Sequence, residues 1–279
     1  MTTFAETARS FLDTRPGSSS RVDAWSAFSA LGLPTTVDEV WRYAPLGDLD
    51  LDRFALASRE SLPELSTLAS DLAERAGLVI RIVDGYLVDV TGEIKGVRVE
   101  AVEAQWSPRY ESDAFAQLNC ALPPATILLN VADGVNVTTP IVILNTTTSG
   151  ASFPQVLISL GRSSEASVVE YLDGGAEALV VPLTEYDLAD NSSLRVSTYQ
   201  RLDMTAWHIA RSTGHLGRDA RLRAFQVTGR CHTGRCHADA VSRQESRSGL
   251  APHQLPLHDG VPGGNQRRAL RGADRGRAV

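Results

Sequence analysis

Ser163-Ser164-Glu165-Ala166-Ser167-Val168-Val169-Glu170, Ala189-Asp190-Asn191-Ser192-Ser193-Leu194-Arg195-Val196 and Gly217-Arg218-Asp219-Ala220-Arg221-Leu222-Arg223-Ala224 are three versions of one pattern. Each opens on a polar turn, passes through a small residue and continues as an alternating strand. Val168, Leu194 and Leu222 hold corresponding places, 26 and 28 residues apart. A recurrence of about 20–50 residues marks stacked units, and strand-only units of this length suit the coils of a β-helix. The same turns also fit a β-sandwich, which needs one every ~8–12 residues. Periodicity alone leaves both open.

Working outward, residues 124–230 are read as this β-core and residues 77–123 as short strands and a helix leading into it. Leu78 to Ile82 and Tyr86 to Val90 flank Asp84-Gly85, a strong hairpin signal. Val97, Val99 and Ala101 alternate with charged neighbours as a third strand, and Asp113 to Leu122 reads as one helix. Residues 1–76 are read as a helical region. Phe4, Ala8, Phe11 and Leu12 share one helical face, and Trp25, Phe28 and Leu31 mark a second helix that stops at Gly32 and Pro34. Thr36 with Glu39, and Ser61 with Glu64, have capping-box spacing.

Charge divides the 279 residues unevenly. Residues 1–230 carry 19 basic and 29 acidic side chains, and residues 231–279 carry 8 and 4. The acidic body argues against nucleic acid as the main partner, since phosphate binding needs clustered cations. No window approaches ~18 uninterrupted apolar residues, so no membrane span is expected. The first residues have no basic stretch followed by an apolar core, and three cysteines make no disulfide framework. A cytoplasmic protein is expected.

An ordered set of segments resembles the SufB/SufD family of iron–sulfur cluster assembly scaffolds, closest to the SufD type. Val40-Trp41-Arg42-Tyr43 is similar to a Trp-Lys/Arg-Tyr signature near that family's N-terminus. Leu78 to Asp89 resembles the strand pair after its helices, and Asp113-Ala114-Phe115-Ala116-Gln117-Leu118-Asn119-Cys120-Ala121-Leu122 its Phe-x-x-Leu-Asn-x-Ala segment. Gly134 to Ile141 resembles the stretch opening its β-helix, and His208-Ile209 with Asp219 to Leu222 its later coils. The resemblance implies a mainly β fold: a right-handed parallel β-helix core with an N-terminal α-helical region. It also implies a non-catalytic scaffold working beside a SufB-type paralogue and a SufC-type ATPase, in a complex that assembles the iron–sulfur cluster. No cofactor is expected to be held by this chain itself. The family's final coils and C-terminal helical part have no recognisable counterpart here, which implies a truncated or frameshifted C-terminus. Residues thought to act in cluster formation lie in that part, so none is carried over.

No catalytic residue is nominated. Trp41 and Tyr43 are read as core, Asn119 as a helix-end hydrogen bonder, and Cys120 as a buried, inert thiol. His208 and His215 lie seven apart, which on an unbroken strand puts them on opposite faces, and Gly214 argues against an unbroken strand. They are read as two separate histidines. Cys231, His232, Cys236 and His237 offer four zinc-type ligands in seven residues. They arise from the tandem repeat Thr-Gly-Arg-Cys-His, and adjacent Cys-His side chains diverge, so this metal site is the weaker reading. There is no Gly-x-x-x-x-Gly-Lys phosphate loop; the one lysine is Lys95. Two rival functions remain at this level: a polysaccharide-active β-helix enzyme, and a metal- or nucleic-acid-binding protein acting through its basic tail.

Residues 231–279 contain no Phe, Trp, Tyr, Ile or Lys and sustain no period. They are read as a low-order Arg/Gly-rich tail not native to the fold, because such a segment buries too little apolar area to offset its ordering entropy. Trypsin is therefore expected to trim the chain to a fragment ending near Arg223 or Arg230 before it attacks the body. Equal resistance of Arg243, Arg247, Arg267 and Arg268 to that of Arg195 would show a folded tail.

Overall fold

The computed structural model describes residues 3–15, 19–35, 37–38, 41, 46–58, 62–103, 113–175, 177–228 and, as backbone, 233–242. Thr3 and Glu6 form a reciprocal capping box, with the Thr3 amide donating to Glu6 at 2.9 Å, and start α1 (Phe4–Asp13). Helix α2 (Ser19–Leu31) ends where Gly32 takes φ 69°. Thr36, Glu39 and Ser61 lie outside the described residues. The helix expected after Ser61 starts later, as α3 (Thr67–Glu74), because Ser66 is its cap, its Oγ accepting from the Ala69 amide. The approach to it stays extended, held by Arg81 Nη2 donating to Pro63 O at 2.7 Å.

Strands β1 (Leu78–Val83) and β2 (Tyr86–Gly92) form the expected hairpin. Asp84 and Gly85 both have positive φ, 53° and 86°, the backbone that a two-residue turn of this hand requires. After β3 (Val97–Val102), Asp113 caps α4 (Ala114–Ala121). The chain then winds through β4 (Thr126–Val131), β5 (Ile141–Thr147), β6 (Gly150–Ser152), β7 (Gln155–Leu160) and β8 (Glu165–Gly174). It continues through β9 (Ala178–Val180), β10 (Leu183–Leu188), β11 (Ser193–Leu202), β12 (Trp207–Leu216), β13 (Arg221–Thr228) and β14 (Thr233–Ser242).

Two sheets result. One runs β13-β11-β8-β5-β1-β2; the other runs β3-β4-β7-β10-β12, with β9-β6 and β14 also joined through β12. Every pairing among β4 to β14 is parallel. That excludes the sandwich and establishes a parallel β-helix with helices at its N-terminal side.

The register corrects one reading. Leu194 sits beside Ala166 and Leu222, whereas Val168 sits beside Val196. β8, β11 and β13 therefore stack at 28 residues, as the Thr198–Glu170 pair also shows, whereas β5 meets β8 at 27 and β4 meets β7 at 29. The 26-residue spacing joined positions two places out of register on the same face, which alternation cannot distinguish.

Corners and turns follow from residue type. Proline has no N–H for a ladder, and Pro154 and Pro182 stand at the breaks between β6 and β7 and between β9 and β10. Their carbonyls accept from Leu183 N at 2.9 Å and Arg211 N at 3.0 Å. One coil on, Ala210 replaces proline and β12 runs through the corner unbroken. Opposite, the turns place Gly134, Ser163, Asn191 and Asp219 in the left-handed region, with φ of 70°, 55°, 61° and 59°. The preceding positions alternate as Asp133, Arg162, Asp190 and Arg218. Each aspartate accepts from the next coil's arginine N–H at 2.8 Å and faces its guanidinium at 3.1 and 4.0 Å.

The inner core is aliphatic, with Ile80, Ile82, Ile127, Leu129, Ile141, Ile143 and Ile158 buried. Helices α1, α2 and α4 cover one outer face through Phe28, Trp41, Phe115, Phe153, Leu179 and Trp207. Trp41 is core, 5.2 Å from the Phe115 ring, and Tyr43 lies outside the described residues. Among the described residues no helix is long and apolar enough to cross a membrane.

Strand β14 lies past residue 230, where composition placed the end of the ordered coils. Its backbone pairs with β12 from Trp207↔Thr233 to Leu216↔Ser242. A parallel ladder is made by main-chain groups, so a segment without aromatics can still add a strand to an existing edge. Residues 243–279 lie outside the described residues.

The turn ladder makes two residues of one turn, Gly161 and Ser163, respond oppositely. A Cβ on Gly161 would lie 2.5 Å from the Asp133 amide nitrogen and Oδ1. Gly161→Ala is expected to lower stability by about 1–3 kcal/mol. Ser163→Gly relieves a left-handed non-glycine residue and is expected to be neutral or stabilising by up to ~1 kcal/mol. Urea midpoints at unchanged slope measure both; equal effects of the two would refute the turn geometry.

Candidate functional site in the solenoid lumen

Alternation along a strand sends every second side chain into the lumen, and parallel register stacks these into columns. One column reads Ile80, Ile143, Glu170, Thr198 and Gln226. Its neighbour reads Ile82, Asn145, Leu172 and Gln200. On the facing wall the column is Ser152, Val180 and His208. The lumen is thus aliphatic near β1 and turns polar towards β11 and β12.

These polar groups are buried and under-satisfied. His208 and Gln200 are 0% exposed. Among the described residues, neither ring nitrogen of His208, neither amide atom of Gln200 and neither amide atom of Asn145 has a hydrogen-bond partner. Glu170 accepts from Thr198 Oγ1 at 3.3 Å. Burial pushes the Glu170 carboxyl up to about 7, with the Thr198 bond opposing, and burial alone pushes His208 down to about 4. Near neutral pH the histidine is therefore an uncharged acceptor and the carboxyl sits at its midpoint. A water-sized or other small polar guest, and exchange of a proton, are the chemistry such a lining supports.

The two histidines fall on opposite faces, as their odd spacing implies, but Gly214 does not interrupt the strand. It lies inside β12, where a Cβ would meet Leu216 and Leu222 side chains at 3.3 Å, so its smallness serves packing. His215 Nε2 lies 3.2 Å from Glu185 Oε1 on the outer face. Of the weaker metal set, Cys231 and His232 lie outside the described residues, and Cys236 and His237 are adjacent in β14, beside Ala210 and Arg211. Among the described residues no three His, Cys, Asp or Glu side chains gather as metal ligands.

Asn119 has a larger task than a helix-end bond. It is fully buried in α4 and its Nδ2 donates to Pro154 O at 2.9 Å and Val181 O at 2.6 Å, corner carbonyls of two successive coils. Its Oδ1 accepts from Gln155 Nε2 at 3.2 Å, and Gln155 in turn meets Thr126. Cys120 beside it is buried and its thiol is pushed up to about 12 by desolvation, which makes it inert. The lumen groups were missed in the sequence because Glu170 and Gln200 read as ordinary polar positions of alternating strands. In the observed register Glu170 falls in line with Ile143 and Ile80, and Gln200 with Leu172 and Ile82.

The pH dependence of stability follows from the two shifts. A histidine lowered to about 4 from 6.5 loses native stability as pH falls through that window, since only the unfolded chain takes up the proton readily. A carboxyl raised from 4.5 to about 7 contributes stability at low pH that is lost as pH rises through 7. Glu170→Gln is expected to stabilise the protein at pH ~8 by about 3 kcal/mol and to have little effect near pH ~4. His208→Leu should flatten the acid limb instead. Melting temperatures from pH ~4 to ~8 measure both, and a Glu170→Gln effect independent of pH would count against a buried carboxyl.

No curated protein matches the sequence. Residues 142–248, which run from β5 past β14 and include most of the polar lumen, match the family model described as SUF system FeS cluster assembly, SufBD core domain.

Proposed function

We propose that this chain is a non-catalytic scaffold subunit for iron–sulfur cluster assembly, of the SufD type, acting with a SufB-type paralogue and a SufC-type ATPase. The observation that carries the reading is the SufBD core match over residues 142–248, falling on coils that stack in parallel. The ordered resemblance of the N-terminal segments, from Trp41 through Asp113–Leu122, extends it beyond the matched stretch. The iron–sulfur cluster is the product of the complex, and no residue of this chain is assigned to hold it. A scaffold role fits a chain whose one lysine is Lys95 and which carries no phosphate loop, so that ATP hydrolysis falls to the partner. We place the protein in the cytoplasm on the same reading.

Coexpression tests it. The chain is expected to copurify with a SufB-type subunit, and with a SufC-type ATPase present, while showing no ATPase or lyase turnover alone. Turnover of an acidic polysaccharide, abolished by a carboxylate substitution on one sheet face, would overturn the scaffold reading in favour of an enzyme.

A further inference from the structure

The outer faces of one sheet are treated unequally. Over β1, β5 and β8, α3 lies on Val79, Val142, Leu144, Val169 and Tyr171 through Leu65, Leu68 and Leu72. Its other side is acidic, with Asp71 and Glu74 exposed. Over β11 and β13 the same sheet continues in register, but among the described residues no helix covers it. Phe225 stands beside Ser197, and Val227 beside Tyr199, which stacks on Tyr171 at 5.8 Å. Phe225 is 66% exposed, Val227 38% and Tyr199 36%. A single exposed apolar side chain is ordinary, but three adjacent ones on a strand face are a patch.

The charge on this face is one-sided. Arg195, Arg221 and Arg223 are exposed beside the patch and form no ion pair among the described residues, unlike Arg162, Arg211 and Arg218. The outward positions of β11 and β13 hold no carboxylate, although residues 1–230 carry 29 acidic against 19 basic side chains. Segregated, unpaired cations around an apolar centre form the complement of an acidic amphipathic element. This chain's own remainder is a poor occupant, because residues 243–279 carry seven arginines against three acidic residues. Helix α3 shows, on the adjoining part of the same sheet, what kind of element this surface accepts.

We infer that the outer face of β11 and β13 docks an acidic amphipathic helix of a partner protein, laid beside α3 so that its apolar stripe covers Phe225, Val227 and Tyr199 and its carboxylates meet Arg195, Arg221 and Arg223. The surface is read from charge, exposure and register, and it stands whether or not the chain serves cluster assembly. A single-stranded nucleic acid would use the arginines and rings but leave Val227 uncovered, so the helix is the better fit.

A labelled peptide of residues 62–76, which carries three carboxylates and one arginine, serves as the probe, with anisotropy measured on the full-length chain. Saturable binding is expected, weakened about tenfold or more by Arg195→Glu with Arg223→Glu, and likewise by Phe225→Ser. Arg195→Lys with Arg223→Lys should retain most of it, since point charge survives the change. All of these positions are exposed, so unchanged melting temperatures are expected to accompany the losses. A peptide with its three carboxylates replaced by lysine should not bind. The inference is overturned by no saturable binding up to about 1 mM, or by binding that the charge-reversal variant leaves intact. It is also overturned if a 15-nucleotide single-stranded RNA (about the length that one groove tracks) binds more tightly than the peptide. Self-association abolished by Phe225→Ser, without peptide binding, would assign the face to a second copy instead.

Discussion

Parallel backbone pairing governs this molecule, because it makes each residue the neighbour of its counterpart one coil away. A column of side chains must therefore be compatible with itself. Aliphatic columns satisfy this by packing. Charged columns satisfy it only by alternating, as Asp133, Arg162, Asp190 and Arg218 do along the turns. The glycines fall where the alternation needs them. At Gly161 and Gly217 a Cβ would run into the aspartate of the coil before, whose carboxylate reaches the following arginine amide. One acceptor thus satisfies a turn amide and sets the charge order of the ladder.

The same rule explains why the lumen changes character along its axis. Near β1, β4 and the start of β5 the inward side chains are isoleucine, leucine or valine, and the burial of each contributes roughly 1.5–3 kcal/mol. Towards β11 and β12 the columns turn to Glu170, Thr198, Gln200 and His208, whose burial without full partners costs stability. The aliphatic coils and the helical layer offset that cost. This buried polar lining lies within the stretch matched by the SufBD core family model.

The helices are keyed to the solenoid through backbone carbonyls that its corners leave exposed. At the proline corner Pro154 O accepts from Leu183 N of the next coil and also from Asn119 Nδ2, which reaches Val181 O as well. At the same, C-terminal end of α4, the buried Arg21 donates to Ala121 O and Pro123 O, and Arg15 to Pro124 O. Burial lowers Arg21 to about 10, still charged at neutral pH, so these remain charge-assisted bonds at a helix C-terminus. Helix α3 instead sits by apolar contact, and the sheet runs on past it, leaving the Phe225 face uncovered.

Much of this architecture was legible in the chain. Alternation and turn residues marked the strands of 124–230, Asp84-Gly85 marked the hairpin, and the apolar spacing of Phe4 to Leu12 and of Trp25 to Leu31 marked two helices. These are local signals, carried by neighbours within a turn or a strand. Ser66 rather than Ser61 starting α3, the 28-residue register, and the continuation of strand pairing through β14 were not legible. Each depends on which distant segment supplies a partner: Arg81 holding Pro63, Leu222 lying beside Leu194, β12 offering an edge to Thr233–Ser242. The site divides the same way. Sequence parity alone put His208 and His215 on opposite faces of a strand. Tertiary structure decided that His208 faces a lumen shared with Gln200, one coil from Glu170, and that Asn119 bridges two coils, because only stacking converts residues 28 apart into neighbours.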